Sequence, residues 1–164
     1  MQLWITIPVA PMNNYFDVNA NLALITTLLM LSCPALSSDA IRTCHDEAQT
    51  QLDINQCESL DFQSADKELN AVYKAVLEQH KTNSKFLDKL KVAQRAWLMW
   101  RDAEMKAVYP EKDDRSYYGS SFPACWSTQL SSFTQERTRQ LQKWLDGVDE
   151  GDVCSGSYPL SLKK

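Results

Sequence analysis

Glycine and proline are scarce, at 4 and 6 residues among 164. That scarcity excludes collagen-like, glycine-rich and many-turned β architectures. Positive charge is also rationed: 17 Lys and Arg stand against 21 Asp and Glu, a net charge of -4, and no dense basic run occurs. Nucleic acid is therefore not an expected partner. Histidine appears twice, as His45 and His80. The chain contains no G-x-S-x-G, no H-E-x-x-H and no glycine-rich phosphate loop, and two carboxylates such as Asp102 and Glu104, two apart on a helix, face different sides. Catalysis is not expected, and no cofactor or metal is implied. With 44% apolar and 23% charged residues the chain can bury one ordinary core.

The charges are missing most completely at the start. Residues 1–37 hold no Lys or Arg and one acid, Asp17, so the following 127 residues carry a net charge of -3. The apolar run Leu22–Leu31 is 10 residues long, too short for a membrane span of about 20 residues and suited to the h-region of a signal peptide. Ala35-Leu36-Ser37 offers small residues where a signal peptidase reads, giving cleavage before Ser38. The usual positive n-region is missing, even counting from Met12. The expected organisation is a signal peptide over 1–37, a helical domain over 38–147 and a tail over 148–164. Cys33 follows Met30-Leu31-Ser32, an imperfect lipobox. The expected location is periplasmic or secreted, with membrane attachment only through the signal segment or lipidation at Cys33. Removal of the segment leaves Cys44, Cys57, Cys125 and Cys154, an even set that reads as disulfide candidates in an exported chain. Zinc would need closer spacing, and His45 reads as a surface residue.

The rest reads as helix. Thr50 with Asp53 forms a capping pair for a short helix running toward Cys57. Ser64 caps a second, whose Ala65, Leu69, Val72, Tyr73, Val76 and Leu77 recur at steps of three and four. A third spans about 85–109, with Leu87, Leu90, Ala93, Trp97 and Trp100 mostly inward, until Pro110 stops it. A fourth carries Trp126, Leu130, Phe133, Arg137, Leu141 and Trp144 and ends at Gly147. The fold class is all-α: an elongated antiparallel bundle of three main helices plus a short N-terminal helix, stapled by disulfide. Between helices three and four lies PEKDDRSYYGSSFP, residues 110–123. A loop of that length in a compact domain is often functional, and Tyr with Ser makes a contact surface of low entropic cost.

Cys44, Thr50-Gln51, Asn55-Gln56-Cys57, Ala65-Asp66, Leu69-Asn70, Tyr73, Ala93-Gln94-Arg95-Ala96-Trp97, Arg101-Asp102-Ala103-Glu104, Gly119-Ser120, Pro123, Cys125, Thr134 and Arg137 follow one another in the order of a known pattern. Over about residues 44–145 the chain resembles the LprI-like lysozyme inhibitor N-terminal domain. The resemblance implies a small, all-helical, secreted or envelope-bound bacterial domain that inhibits lysozyme by direct contact. The alternative is an envelope interaction module for another protein or for peptidoglycan, with no effect on lysozyme. Met105 stands where the family has a cysteine, so the family's pairing across the long loop is lost; Cys44–Cys57 is the expected bond, and Cys125 with Cys154 stays open. Asp113, Asp114, Arg115, Tyr117, Tyr118 and Ser120 are the candidate partner-binding residues. Asp66, Asn70, Tyr73, Gln94, Arg95, Trp97, Arg101 and Asp102 are expected to be structural, with Arg101 and Asp102 meeting other partners rather than each other and Asp66 and Asn70 available to serve them.

Overall fold

The computed structural model describes residues 38–114, 116–151 and 153–161, all within one compact unit that spans Ala35–Lys164. The expected signal segment, with Cys33, lies outside the described residues. Four helices follow in order: α1 (Ser38–Glu47), α2 (Gln51–Gln79), α3 (Ser84–Val108) and α4 (Phe122–Asp146). Among the described residues there is no strand, and an isolated bridge joins Val148 to Leu160. The all-α class and the bundle are as expected, with two corrections. The short N-terminal helix is Ser38–Glu47, not a segment starting at Thr50. The helices expected at Thr50 and Ser64 are one continuous α2 of 29 residues. Ser64 is an interior residue, not a cap.

Each end has a physical cause. Thr50 and Asp53 form a reciprocal capping box at the start of α2: Thr50 Oγ1 accepts from the Asp53 amide at 3.2 Å, and Asp53 Oδ2 accepts from the Thr50 amide at 2.9 Å. The Thr50 hydroxyl and the Thr50 and Gln49 amides hold the Asp53 carboxyl below the usual aspartate range. Asn83 Oδ1 accepts from the Phe86 amide at 3.1 Å and starts α3. Gly147 ends α4 at φ 77°, a left-handed geometry that favours glycine. The tail then turns back, with the Val148 amide donating to Pro159 O and the Ser161 amide to Val148 O, both at 2.8 Å. A Cβ on Gly147 would sit 2.7 Å from this returning backbone.

Cross-helix partners give the register. Asn55 meets Ala124, Glu58 meets Thr128 and Gln79 meets Trp144, so α2 and α4 run parallel. Phe86 meets Trp144, Gln94 meets Arg137 and Trp100 meets Phe133, so α3 returns antiparallel to α4. The backbones of α2 and α4 approach closely along their length, whereas α3 stands further off. The buried positions explain this. Ala65 on α2 and Ala124, Ser131, Thr134 and Thr138 on α4 are small, while α3 buries Leu90, Gln94 and Met105. The apolar centre is Leu69, Val76, Leu90 and Leu141, flanked by Val72, Tyr73, Leu77, Phe86, Trp97 and Trp144.

The disulfide Cys44–Cys57 is present, with Cα atoms 5.7 Å apart. The break between α1 and α2 at residues 48–50 makes it possible, because an unbroken helix would hold these residues about 20 Å apart. Cys125 is an exposed free thiol, so the second candidate pair is not joined. Met105, at the position of the family cysteine, is 1% exposed and serves as core.

Candidate functional site

The segment between α3 and α4 is built on an aromatic cluster. Pro110 follows the C-cap Tyr109, and successive turns carry the chain onward through Asp114 N to Glu111 O, Tyr117 N to Asp114 O and Phe122 N to Gly119 O. Gly119, at φ 73°, supplies the left-handed residue this path requires. The Tyr109 ring lies edge-on to Tyr118 and Phe122, both at 5.4 Å, and 5.7 Å from Trp126. Tyr118 stacks on Phe122 at 5.1 Å, and its hydroxyl accepts from the Glu111 amide at 3.3 Å. Burial, then the neighbouring Cys125 and Tyr118, pushes the Tyr109 phenol up from its ordinary value.

Asn55, from the far side of the disulfide hairpin, fastens the other end. Its Nδ2 donates to Ser120 O at 2.9 Å, and its Oδ1 accepts from the Ala124 amide at 3.2 Å. The N-cap Ser121 makes no side-chain cap bond, so Asn55 satisfies the buried Ala124 amide of the first turn of α4 from another helix. Sequence reasoning missed this role, although Asn55 belongs to the Asn55-Gln56-Cys57 motif. Between Asn55, Lys112, Phe122, Pro123 and Trp126 lies a cleft of about 400 Å³.

The five described loop candidates separate into two kinds. Tyr117 is 65% exposed, its ring edge resting on Tyr118 at 4.8 Å. Asp113 is also exposed and pairs with Lys112 at 2.6 Å. Tyr118, by contrast, is packed and hydrogen-bonded, and Ser120 is tied to Asn55 through its carbonyl. Asp114 accepts from Ser116 Oγ at 2.6 Å and the Ser116 amide at 2.9 Å, bonds that lower its pKa. Arg115 lies outside the described residues.

The motif residues meet partners on their own helices more than expected. Asn70 Nδ2 donates to Asp66 Oδ2 at 2.9 Å. Arg101 donates to Asp102 Oδ1 from Nε at 3.1 Å and from Nη2 at 3.0 Å. The expectation that Arg101 and Asp102 seek other partners is thus corrected: the long arginine side chain folds back along the helix, and its guanidinium also sits 5.3 Å from the Trp97 ring centre. Gln94 is buried and accepts from Arg137 Nε at 3.0 Å. Tyr73 and Trp97 are half-buried against the core, and Arg95 is exposed.

His45 is half-buried rather than a surface residue, with Nε2 2.6 Å from Asp61 Oδ2. With Glu58 these residues offer three ligand atoms within 4.8 Å of one another. Each already has a protein partner, since Glu58 accepts from Thr128 Oγ1 at 2.7 Å.

A family model described as lysozyme inhibitor LprI matches residues 44–141. An uncharacterised protein of Rhizobium meliloti strain 1021, R02472, is 29% identical over 76% of this chain and 94% of its own length. The uncharacterised protein YecT of Escherichia coli K12 is 28% identical over 77% of this chain and 92% of its own. No solved structure matches.

Proposed function

Because the chain belongs to the lysozyme inhibitor LprI family, we propose that it acts outside the cytoplasm as a binding protein that blocks lysozyme by direct contact, with the 110–123 segment as the contact surface. The observation that carries this reading is the way that segment is held. Tyr109, Tyr118, Phe122 and Trp126 form its base, Asn55 pins its far end, and Tyr117 is left 65% exposed at the surface. A surface ordered before binding loses less entropy on association, and tyrosine is the side chain best suited to use it. Tyr117 enters a sugar subsite of the lysozyme cleft, Arg115 meets a catalytic carboxylate, and Asp113 faces basic residues at the rim. Tyr118 and Ser120 shape the segment from beneath.

Export fits the rest of the molecule. Residues 1–37 act as the leader, and Cys44–Cys57 is a bond that persists in an oxidising compartment. Among the described residues no helix is long and apolar enough to cross a membrane. A net charge of -3 after residue 37 gives weak steering toward a basic enzyme. The role is that of a binder rather than a catalyst.

Muramidase turnover measured with and without stoichiometric purified protein tests the reading. Inhibition is expected, weakened at least tenfold by Tyr117→Ala with Arg115→Ala and unchanged by Met99→Ser on the outer face of α3. No inhibition by the intact protein defeats the assignment. Full inhibition by the double variant removes the loop as the contact.

A further inference from the structure

At the opposite end of the bundle, where α3 begins and α4 finishes, a groove of about 510 Å³ is lined by Phe86, Leu90, Ala93 and Trp144 together with Lys85, Lys89 and Arg137. Asn83 and Ser157 complete the lining, and among the described residues no carboxylate is part of it. The volume falls within the range of small-molecule sites, and an apolar body with a few convergent charges is their usual composition.

Arg137 is the informative residue. Arg137 is half-buried, yet among the described residues both its hydrogen-bond acceptors are neutral amides: Gln94 Oε1 at 3.0 Å from Nε, and Gln140 Oε1 at 3.1 Å from Nη1. Burial lowers its pKa from the ordinary value, and the phenols of Tyr158 and Tyr73 oppose that shift. Buried cations are normally paired with an anion, and Arg101, whose side chain is 14% exposed, follows that rule by meeting Asp102. The two glutamines fix the fork in place while leaving its charge uncompensated. Lys85 and Lys89, one turn apart at the start of α3, add two exposed cations at the mouth. The walls are held as firmly as the cation. Phe86 and Trp144 pack at 4.3 Å, His80 lies 4.8 Å from Phe86, and Tyr158 of the returning tail covers Trp144 at 4.2 Å.

We propose that this groove is a binding site for an organic carboxylate carried on an aromatic or apolar body, its anionic end on Arg137 between Lys85 and Lys89 and its apolar end against Phe86, Leu90 and Trp144. A planar carboxylate matches the guanidinium fork, whereas a bare inorganic anion would leave the aromatic walls unused. A free aromatic acid and the C-terminal carboxylate of a peptide share this chemistry. The site is at the other end of α4 from the 110–123 segment and does not depend on lysozyme binding.

Calorimetric titration of the purified protein with N-acetylphenylalanine, with N-acetylphenylalaninamide and with inorganic phosphate tests the proposal. The acid is expected to bind at least tenfold more tightly than the amide or phosphate. Lys85→Gln with Lys89→Gln, two exposed substitutions that leave the core intact, should weaken the acid three- to tenfold and flatten its salt dependence. Arg137→Gln should abolish the preference for acid over amide, with thermal melting reporting that the variant is folded. A tetrapeptide ending in phenylalanine separates the sources: tighter binding than the acetylated residue indicates a peptide terminus, and weaker binding a free acid. Equal affinity for acid and amide, an unaltered preference in the folded Arg137→Gln protein, or no binding of the acid at millimolar concentration would overturn the proposal.

Discussion

The two sides of α4 are packed by opposite means. Toward α2 the side chains are short, with Ala124, Ser131, Thr134 and Thr138 facing a helix whose own contribution includes Ala65. The two parallel backbones therefore come close. Toward α3 the gap is spanned by long groups: Arg137 to Gln94, Phe133 to Trp100, and Trp144 to Phe86. The wider side leaves a groove with a charge in its wall, and it leaves Val92, Leu98, Met99 and Trp100 exposed on α3. Small residues set distance; large ones set what lies in the space between.

Four substitutions sharpen or break that contrast. The largest effect is expected from Met105→Ala, which removes one of the most deeply buried side chains of α3 and should cost about 2–5 kcal/mol in urea denaturation. A loss well below that range would mean that α3 settles inward to close the space. Next comes Thr134→Leu, which forces a larger group into the seam at a fully buried position and should cost about 1–3 kcal/mol. Unaltered stability would show that the helices are not held at the distance their small residues dictate. Thr134→Val runs the other way. The Thr134 hydroxyl is buried with no hydrogen-bond partner among the described residues, so a methyl of the same size should raise stability by about 1 kcal/mol. A decrease in melting temperature would mean that the hydroxyl, and not only its size, matters to the seam.

The smallest effect lies outside both interfaces, at the start of α2. Thr50 and its neighbours hold the Asp53 carboxyl below its ordinary value. A carboxyl lowered in the folded state adds stability above its unfolded pKa, and that contribution is lost as the pH falls through the folded value. The wild-type protein should therefore lose this support below about pH 4. Asp53→Asn should melt slightly lower at pH 7 and lose part of the acid dependence, measured as melting temperature between pH 2 and pH 7. Identical acid profiles for the two proteins would show that the capping box adds nothing.

Much of the bundle was legible because its ends are chemically marked. Pro110 and Gly147 end α3 and α4 where the sequence places them, since a missing amide donor and a left-handed residue each act locally. The middle of α2 misled for the same reason. Ser64 followed by acids looks like a cap, but a serine inside a helix costs only a few tenths of a kcal/mol against a good helix former. The stronger signal was the spacing of Cys57, Ala65, Leu69 and Val76, one buried stripe running straight through Ser64. The mutual bond of Arg101 and Asp102 was missed because reasoning from Cβ directions neglects the reach of an arginine. Asn55 capping a distant helix, and Arg137 reaching Gln94, depend on register between helices, which no local pattern encodes. The candidate loop was visible as a stretch of sequence. Its division into a half-buried Tyr118 and an outward Tyr117 was not, because neighbouring tyrosines are equivalent until a ring cluster selects one.

The Cys44–Cys57 bond joins α1 to a helix that is otherwise secured along its length by α4. Cutting it with a reductant should convert a clip into a hinge: the first helix swings out, Ile41 is wetted and His45 parts from Asp61, while the three long helices keep their places. A reducing environment would thus loosen one flap of this molecule without dissolving it.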